Sequence, residues 1–279
     1  MMDSATVKEL ESKCREIRYL IVDTIATVGS GHVGGSLSAV EAVVTLYYRH
    51  MNIDPANPDM PGRDRFVLSK GHAGPVLYAT LAEKGYFDKS WLHTMNKPYT
   101  RLPSHVDRRL TPGVDMTAGS LGQGLSAAVG IAIGSKLSGD GAYTYCMLGD
   151  GESEEGQVWE AAMFACHEKL DHLIGFTDYN KQQIDGYVDE MTGIAPLADK
   201  WTAFGWNVIE VDGHDVAAID DAICRAKAHT GSPSMIVLHT VKGKGYSRAE
   251  NSPIACHSMT FTAEQHEQAL HELEGGLEK

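Results

Sequence analysis

Asp150 stands between Gly149 and Gly151 directly after the apolar run Tyr143 to Leu148, and Asn180 closes the next such run thirty positions later. If both runs are parallel strands, both side chains sit at carboxyl ends, where open α/β sheets bind ligands. Successive parallel strands are commonly neighbours, so the two could face each other across one crevice. A carboxylate, an amide oxygen and a backbone carbonyl, completed by phosphate oxygens and water, make an octahedral, oxygen-only site for Mg²⁺. Gly149-Asp150-Gly151 alone is equally an ordinary strand-to-helix turn, and only the pairing with Asn180 points to a metal. The turn carries no GxxxxGK[ST] and no GxGxxG follows a strand, which excludes a P-loop and a dinucleotide fingerprint.

Four of the thirteen histidines stand apart by context. His32 and His72 each follow a glycine in a turn that precedes a helix, His105 follows Pro103-Ser104, and His257 comes after the last strand and the loop of Gly243 and Gly245. Such segments display functional groups. An imidazole with an ordinary pKa of about 6.5 can give or take a proton at neutral pH, and its nitrogens suit the hydroxyls of a sugar. His50, His93, His167, His229 and His271 sit in helical or polar settings and read as structural. Cys256 beside His257 is a rival nucleophile and base, weakened because adjacent residues rarely point at each other.

These groups need a scaffold, and the pattern supplies one. Val7, Leu10, Cys14, Ile17, Ile21 and Ile25 recur at helical spacing up to Gly29. Ser38 and Glu41 read as a capping box for a helix over 39–51. Apolar runs at Phe66 to Ser69, Tyr143 to Leu148, Leu173 to Tyr179, Asn207 to Val211 and Met235 to Val241 read as buried strands. Helical segments near 73–84, 122–137, 155–169, 196–204 and 215–229 separate them. This alternation predicts an α/β fold, a parallel sheet covered by helices on both faces. No repeat or linker divides the 279 residues, so residues 1–279 are expected to form a single domain. The acidic tail after Thr262, with Glu264, Glu267, Glu272, Glu274 and Glu278, reads as a solvated, fraying helix.

A net charge of −13 argues against nucleic-acid and anionic-membrane surfaces. The longest weakly apolar stretch, Ala127 to Gly134, is far short of the ~20 residues of a membrane span. Charged residues interrupt the first twenty positions, so no signal peptide is indicated and the expected location is cytoplasmic. Five cysteines without a CxxC pair suggest neither a zinc site nor disulfides, and read as mostly buried thiols.

Across nearly the whole chain the sequence is similar to the amino-terminal part of transketolase, a thiamine-diphosphate enzyme. The resemblance rests on Ser30-Gly31-His32, Ser69-Lys70-Gly71-His72-Ala73, Leu102-Pro103-Ser104-His105, Gly119-Ser120-Leu121-Gly122-Gln123-Gly124, Leu148-Gly149-Asp150-Gly151-Glu152, Asp178-Tyr179-Asn180-Lys181 and Ile184-Asp185-Gly186. It implies the thiamine-diphosphate-binding fold, specifically the diphosphate-binding domain. It also implies that Asp150 and Asn180, with the backbone carbonyl of Gln182, hold Mg²⁺, or Ca²⁺ or Mn²⁺ in its place. Gly151 would meet the diphosphate, Gly119, Ser120 and Leu121 the aminopyrimidine, and Ile184 an apolar part of the cofactor. Glu155 matches a glutamate of a carboxylate network across the subunit interface. His32 and His105 would contact donor hydroxyls, with His72 and His257 near the diphosphate and the reacting carbon. Val33 and Val106 replace prolines that often follow two of these histidines, Ser104 replaces a glycine, and Ser258 follows His257.

A transketolase also needs a pyrimidine-binding domain of ~200 residues. The resemblance therefore implies one subunit of a two-component transferase in sugar metabolism, an α2β2 heterotetramer whose partner carries the pyrimidine-binding and C-terminal domains, acting on sugars or sugar phosphates. The segment from Gly119 to Gly134, rich in Gly and Ala, is a candidate part of that interface. The histidine set favours ketose chemistry over the related deoxyxylulose-phosphate synthases and 2-oxo acid dehydrogenases. Retention of Asp150, Asn180 and the histidines weighs against a non-catalytic scaffold.

Overall fold

The computed structural model describes residues 2–252 and 254–277. Helix α1 (Ser4–Val28) starts where the Asp3 carboxylate accepts the amide hydrogens of Ala5 and Thr6, each at 2.9 Å, and stops at Gly29, whose φ of 91° suits a residue without Cβ. Strand β1 (Ser30–Gly31) follows, then α2 (Gly34–Leu37), α3 (Val40–Thr45) and a π-helical turn over Leu46–His50.

Five strands form one parallel sheet: β2 (Arg65–Leu68), β3 (Thr144–Gly149), β4 (Leu173–Tyr179), β5 (Asn207–Asp212) and β6 (Ser234–His239), in the order β2-β3-β4-β6-β5. Between them run α4 (Gly74–Lys84), α5 (Gln123–Ser138), α6 (Gly156–His167), α7 (Val188–Met191), α8 (Leu197–Ala203) and α9 (Val216–Ala228). After β6 come α10 (Ser247–Glu250), β7 (Met259–Thr260) and α11 (Ala263–Leu277). Each predicted strand and each predicted interstrand helix is present within a residue or two, because a strand covered on both sides must be apolar throughout. The alternation of side chains decides which cover each residue meets. Phe66, Leu68, Tyr145, Met147, Ile174, Phe176, Ile236 and Leu238 join the core beneath α1, α3, α4 and α9. Val67, Cys146, Leu148, Leu173, Met235 and Val237 join the core beneath α5, α6 and α8. No helix among the described residues is long and apolar enough to cross a membrane.

Two expectations are corrected. Ser38 and Glu41 form no capping box, and the helix expected over 39–51 is the shorter α3 followed by the π-helical turn. Ser38 Oγ instead donates to Asp178 Oδ2 at 2.7 Å, while Glu41 pairs with Arg18 and lies 3.1 Å from His214 Nδ1. Long-range partners in the core outcompete a local cap.

Nor is the tail a solvated appendage, because α11 packs along α1 and buries Ala269 and Leu273. The Glu272 carboxylate accepts both the backbone amide and the hydroxyl of Ser247 at 2.7 Å, and His266 Nε2 lies 2.9 Å from Asp23 Oδ1. The acidic residues within α11 mark only the outer face of an amphipathic helix, and Glu278 lies outside the described residues.

Leu273→Ala should therefore cost about 2 kcal/mol, the lower end for a buried leucine, whereas Glu267→Ala on the exposed face should stay within about 0.5 kcal/mol. Urea unfolding of both variants checks this. Equal, negligible losses would mean that α11 is not docked.

Candidate active site

The carboxyl ends of the strands open into a cleft of about 600 Å³. Strand pairing builds its floor: β3 and β4 run in register with Gly149 opposite Asp178, so Asp150 and Asn180 emerge side by side. Asp150 is buried, and its two oxygens accept the amide hydrogens of Gly151 at 2.7 Å and Lys181 at 2.5 Å. The Asn180 amide is held from both ends. Its Nδ2 donates to Asp178 Oδ2 at 3.0 Å and its Oδ1 accepts from the Gln182 amide at 3.1 Å. The Gln182 carbonyl faces the ammonium of Lys242 at 3.4 Å, with the Gln183 carbonyl at 3.1 Å.

The four histidines converge although they are scattered through the sequence. β1 pairs antiparallel with β7, Ser30 opposite Thr260 and Gly31 opposite Met259, so His32 just after β1 meets His257 just before β7. Their ring centroids are 5.3 Å apart; His72 lies 5.4 Å from His32 and 5.0 Å from His257, and His105 lies 5.5 Å from His32. Gly34 lets the last segment close in, since a Cβ there would stand 2.8 Å from the Cys256 carbonyl oxygen and sulfur. Cys256 is buried against this backbone and burial pushes its thiol up, while His257 turns toward the other rings. The arrangement does not favour a Cys256 and His257 nucleophile pair.

Burial, then Lys70, then the neighbouring rings lower the His72 pKa to about 2. Burial and Lys242 lower His257 to about 4, and burial with His105 lowers His32. All three are neutral at physiological pH, able to accept as well as donate. The Asp150 carboxyl moves the other way: burial and the nearby Asp178 raise it to about 7. Val33 and Val106, which follow two of the histidines, are buried core anchors for these turns.

Of the residues singled out in the sequence, His32, His72, His105, Gly119, Leu121, Asp150, Gly151, Glu155, Asn180, Gln182, Ile184 and His257 all line the cleft. Ser120 does not; its hydroxyl accepts from Gln123 Nε2 at 3.3 Å beside the rim. Sequence reasoning missed four charged groups that hold the cleft together. Lys70 and Asp178 form a buried ion pair at 2.5 Å. Lys242 is buried among the carbonyls of the Gln182 loop. Glu152 accepts from the Ser69 hydroxyl, from the Gly122 amide at 2.8 Å and from the Gly149 amide at 3.0 Å, tying three site loops together. The available signal was a charged residue inside a buried strand or just beyond its end, where burial demands a partner without saying which.

A divalent cation with an anionic ligand fits this cleft. Asp150, held near neutrality of charge by burial and Asp178, lacks positive charge that a metal supplies. The buried Gln182 Oε1 and His257 Nδ1 have no hydrogen-bond partner among the described residues, and Lys70 and Lys242 suit phosphate oxygens.

Residues 10–274 match the family model "Transketolase, thiamine diphosphate binding domain". The chain is 54% identical, over 95% of its length and 96% of the relative's, to the 6-deoxy-6-sulfo-D-fructose transketolase subunit of Clostridium sp. (strain MSTE9). It is 40% identical, at the same coverage, to one of the subunits of the apulose-4-phosphate transketolase of Actinobacillus succinogenes. Transketolase from Leishmania mexicana superposes with a TM-score of 0.88 at 32% identity, over 100% of this chain but 42% of that one, so the chain spans less than half of a solved transketolase. In sequence and in fold, this chain belongs to the transketolase family as a thiamine diphosphate binding domain.

Proposed function

We propose that this chain is the diphosphate-binding subunit of a two-subunit transketolase, which moves a two-carbon ketol unit from a ketose donor to an aldose acceptor. The observation that carries this reading is a cleft combining an oxygen-donor metal site with four converging histidines, in a chain matching its subunit relatives over 96% of their length but only 42% of a solved transketolase. The chain is proposed to act as one domain, completed by a partner that carries the pyrimidine-binding and C-terminal domains. Exposed apolar side chains at and beyond the rim, Leu121, Ile184, Met163 and Phe164, support a protein surface there. The outer face of α5 exposes Gly130 and Gly134 and would let another backbone approach. An α2β2 assembly is the proposed stoichiometry, and the cytoplasm the proposed location.

Bound thiamine diphosphate supplies the reactive carbon that accepts the ketol unit. Asp150 and Asn180 side chains and the Gln182 carbonyl would hold Mg²⁺, or Ca²⁺ or Mn²⁺, against the diphosphate, with Gly151 and the Lys70 and Lys242 ammonium groups beside it. Gly119, Leu121 and Ile184 would flank the ring end with Ser120 beside them at the rim, and Glu155 would face the partner. His32 and His105 would hold donor hydroxyls, while neutral His72 and His257 take and return protons at the reacting end. The identity to the Clostridium subunit makes 6-deoxy-6-sulfo-D-fructose the first donor to assay.

Supplied with Mg²⁺, thiamine diphosphate, donor and acceptor, the chain alone should transfer no ketol unit and should gain turnover with its partner. Robust turnover by the lone chain, free of host transketolase, would sink the two-subunit reading.

Asp150→Asn should weaken Mg²⁺-dependent cofactor binding in the reconstituted enzyme about a hundredfold, roughly 2.7 kcal/mol. A carboxyl raised to about 7 when folded disfavours folding increasingly as pH rises from its unfolded value toward 7, and fully above it. In chelator at pH 8, Asp150→Asn should therefore melt at or above the parent chain. A large drop in melting temperature instead would make Asp150 structural.

His105→Ala should lower kcat/KM for ketose donors about tenfold or more while cofactor affinity holds. Steady-state kinetics with a parallel cofactor titration separates the two; unchanged donor kinetics would return His105 to the structural class.

A further inference from the structure

Three side chains of different ligand chemistry meet on the flank of the molecule, outside the cleft. His50 ends the π-helical turn after α3, and Asp220 and Cys224 stand four residues apart on α9. The ligand atoms of all three lie within 4.8 Å of one another, with His50 Nε2 2.9 Å from Asp220 Oδ1. We propose that His50, Asp220 and Cys224 form a second metal site, for Zn²⁺ or a similar borderline-soft divalent ion, that staples α9 to the end of α3.

Spacing of four places Asp220 and Cys224 on one helical face, a ready-made chelate to which His50 adds a third arm from another element. Zinc bonds of about 2.0–2.3 Å in a tetrahedral site set donor atoms about 3.3–3.8 Å apart, so small side-chain rotations close the observed spacing. Imidazole and thiolate select zinc over the hard cations that suit the oxygen-only site at Asp150. Cys224 is exposed, which gives an ion a way in and leaves the fourth position to water. Binding balances as loss of the Cys224 thiol proton to solvent, with Asp220 ionised and His50 neutral, so two ligand charges match the metal's two.

Two cations stand nearby. Arg49 Nε is 3.2 Å from Asp220 Oδ1, and Lys227 Nζ donates to the His50 carbonyl at 2.9 Å. The Arg49 side chain is 38% exposed and can turn to solvent when a metal takes that oxygen. Lys227 is held by the rings of Tyr143 and Tyr145 and stays, which tunes the site to an ion that brings a strong thiolate bond. Sequence spacing gives no hint of this triad, because its members come from two elements and no CxxC is involved.

The test is Co²⁺ titration of the full chain saturated with Mg²⁺. The expected result is a one-equivalent spectrum of tetrahedral cobalt with a thiolate-to-metal charge-transfer band, displaced by Zn²⁺. Cys224→Ser should remove that band and weaken Co²⁺ binding at least tenfold, and Asp220→Asn should weaken binding with the band reduced. Mg²⁺-dependent thiamine diphosphate binding should be the same in all three proteins. Cobalt at the Asp150 site would absorb weakly and without a sulfur band, so the two sites are told apart. No charge-transfer band in the parent chain, or one that survives in Cys224→Ser, overturns the proposal. Should Asp220→Asn fail to fold, the exposed Cys224→Ser carries the test by itself.

Discussion

The ammonium of Lys70 and the carboxylate of Asp178 meet at 2.5 Å in the floor of the cleft, both almost wholly out of solvent, and the geometry above them depends on that contact. Burial pushes the Asp178 carboxyl up, yet Lys70 and the surrounding hydroxyls outweigh it and hold the group below its usual range. Its oxygens also take Ser38 from the α2–α3 junction, Asn180 from the end of β4 and Thr240 from beyond β6, while Lys70 reaches the Gly35 carbonyl at 2.7 Å. Four separate chain segments are thus fixed by one pair. Removing either partner strands a buried charge at a cost of about 3–5 kcal/mol, whereas the intact pair adds little net stability. Its contribution is position. It sets which end of the Asn180 amide faces the ligand, and it places a negative charge near Asp150 that favours a cation there.

Lys70 also acts on the histidines. Its charge and that of Lys242 stand among the causes that keep His72 and His257 neutral, after burial itself. The same ammonium groups that suit a diphosphate therefore hold the neighbouring imidazoles in the form that can accept a proton. The β1–β7 ladder supplies the geometry, and it is only two residues long on each side. It holds because its flanks are anchored in the core: α1 on one side, α11 on the other, the two helices packed together. A helix far from the cleft thereby bears on where His257 stands.

The sheet and the meeting of Asp150 with Asn180 were legible in the sequence for one reason: buried parallel strands must be apolar, and the residues just past such a run sit at the ligand-binding edge. The register of β3 and β4 then follows from neighbouring strands, and Asp150 and Asn180 meet as expected. The features that were not legible depend on contacts between residues far apart. Ser38 reads locally as a cap but bonds 140 residues away. The α11 stripe amounts to Ala269 and Leu273 within an acidic stretch, too sparse to outweigh the charges around it. Lys70 and Asp178 stood in quoted motifs without a role, because a charge at a buried strand calls for a partner but neither segment marks which residue that partner is.

Folding and chemistry ask different things of this cleft. A core built for stability alone would avoid a buried carboxylate beside another, a His257 nitrogen without a partner among the described residues and two lysines in one hollow, each costly in the absence of a ligand. Strand ends and backbone amides hold these groups in place nonetheless, so their orientation is set before anything binds. Preorganised charge of this kind spares reorganisation when a charged ligand arrives. The floor of the cleft, at the ends of β3 and β4, is buried and cross-linked by Glu152 and Asp178. Leu121 and Ile184, by contrast, line the cleft and are exposed. The cleft thus joins a preorganised, charged floor to a margin whose apolar side chains have no cover within this chain's described residues.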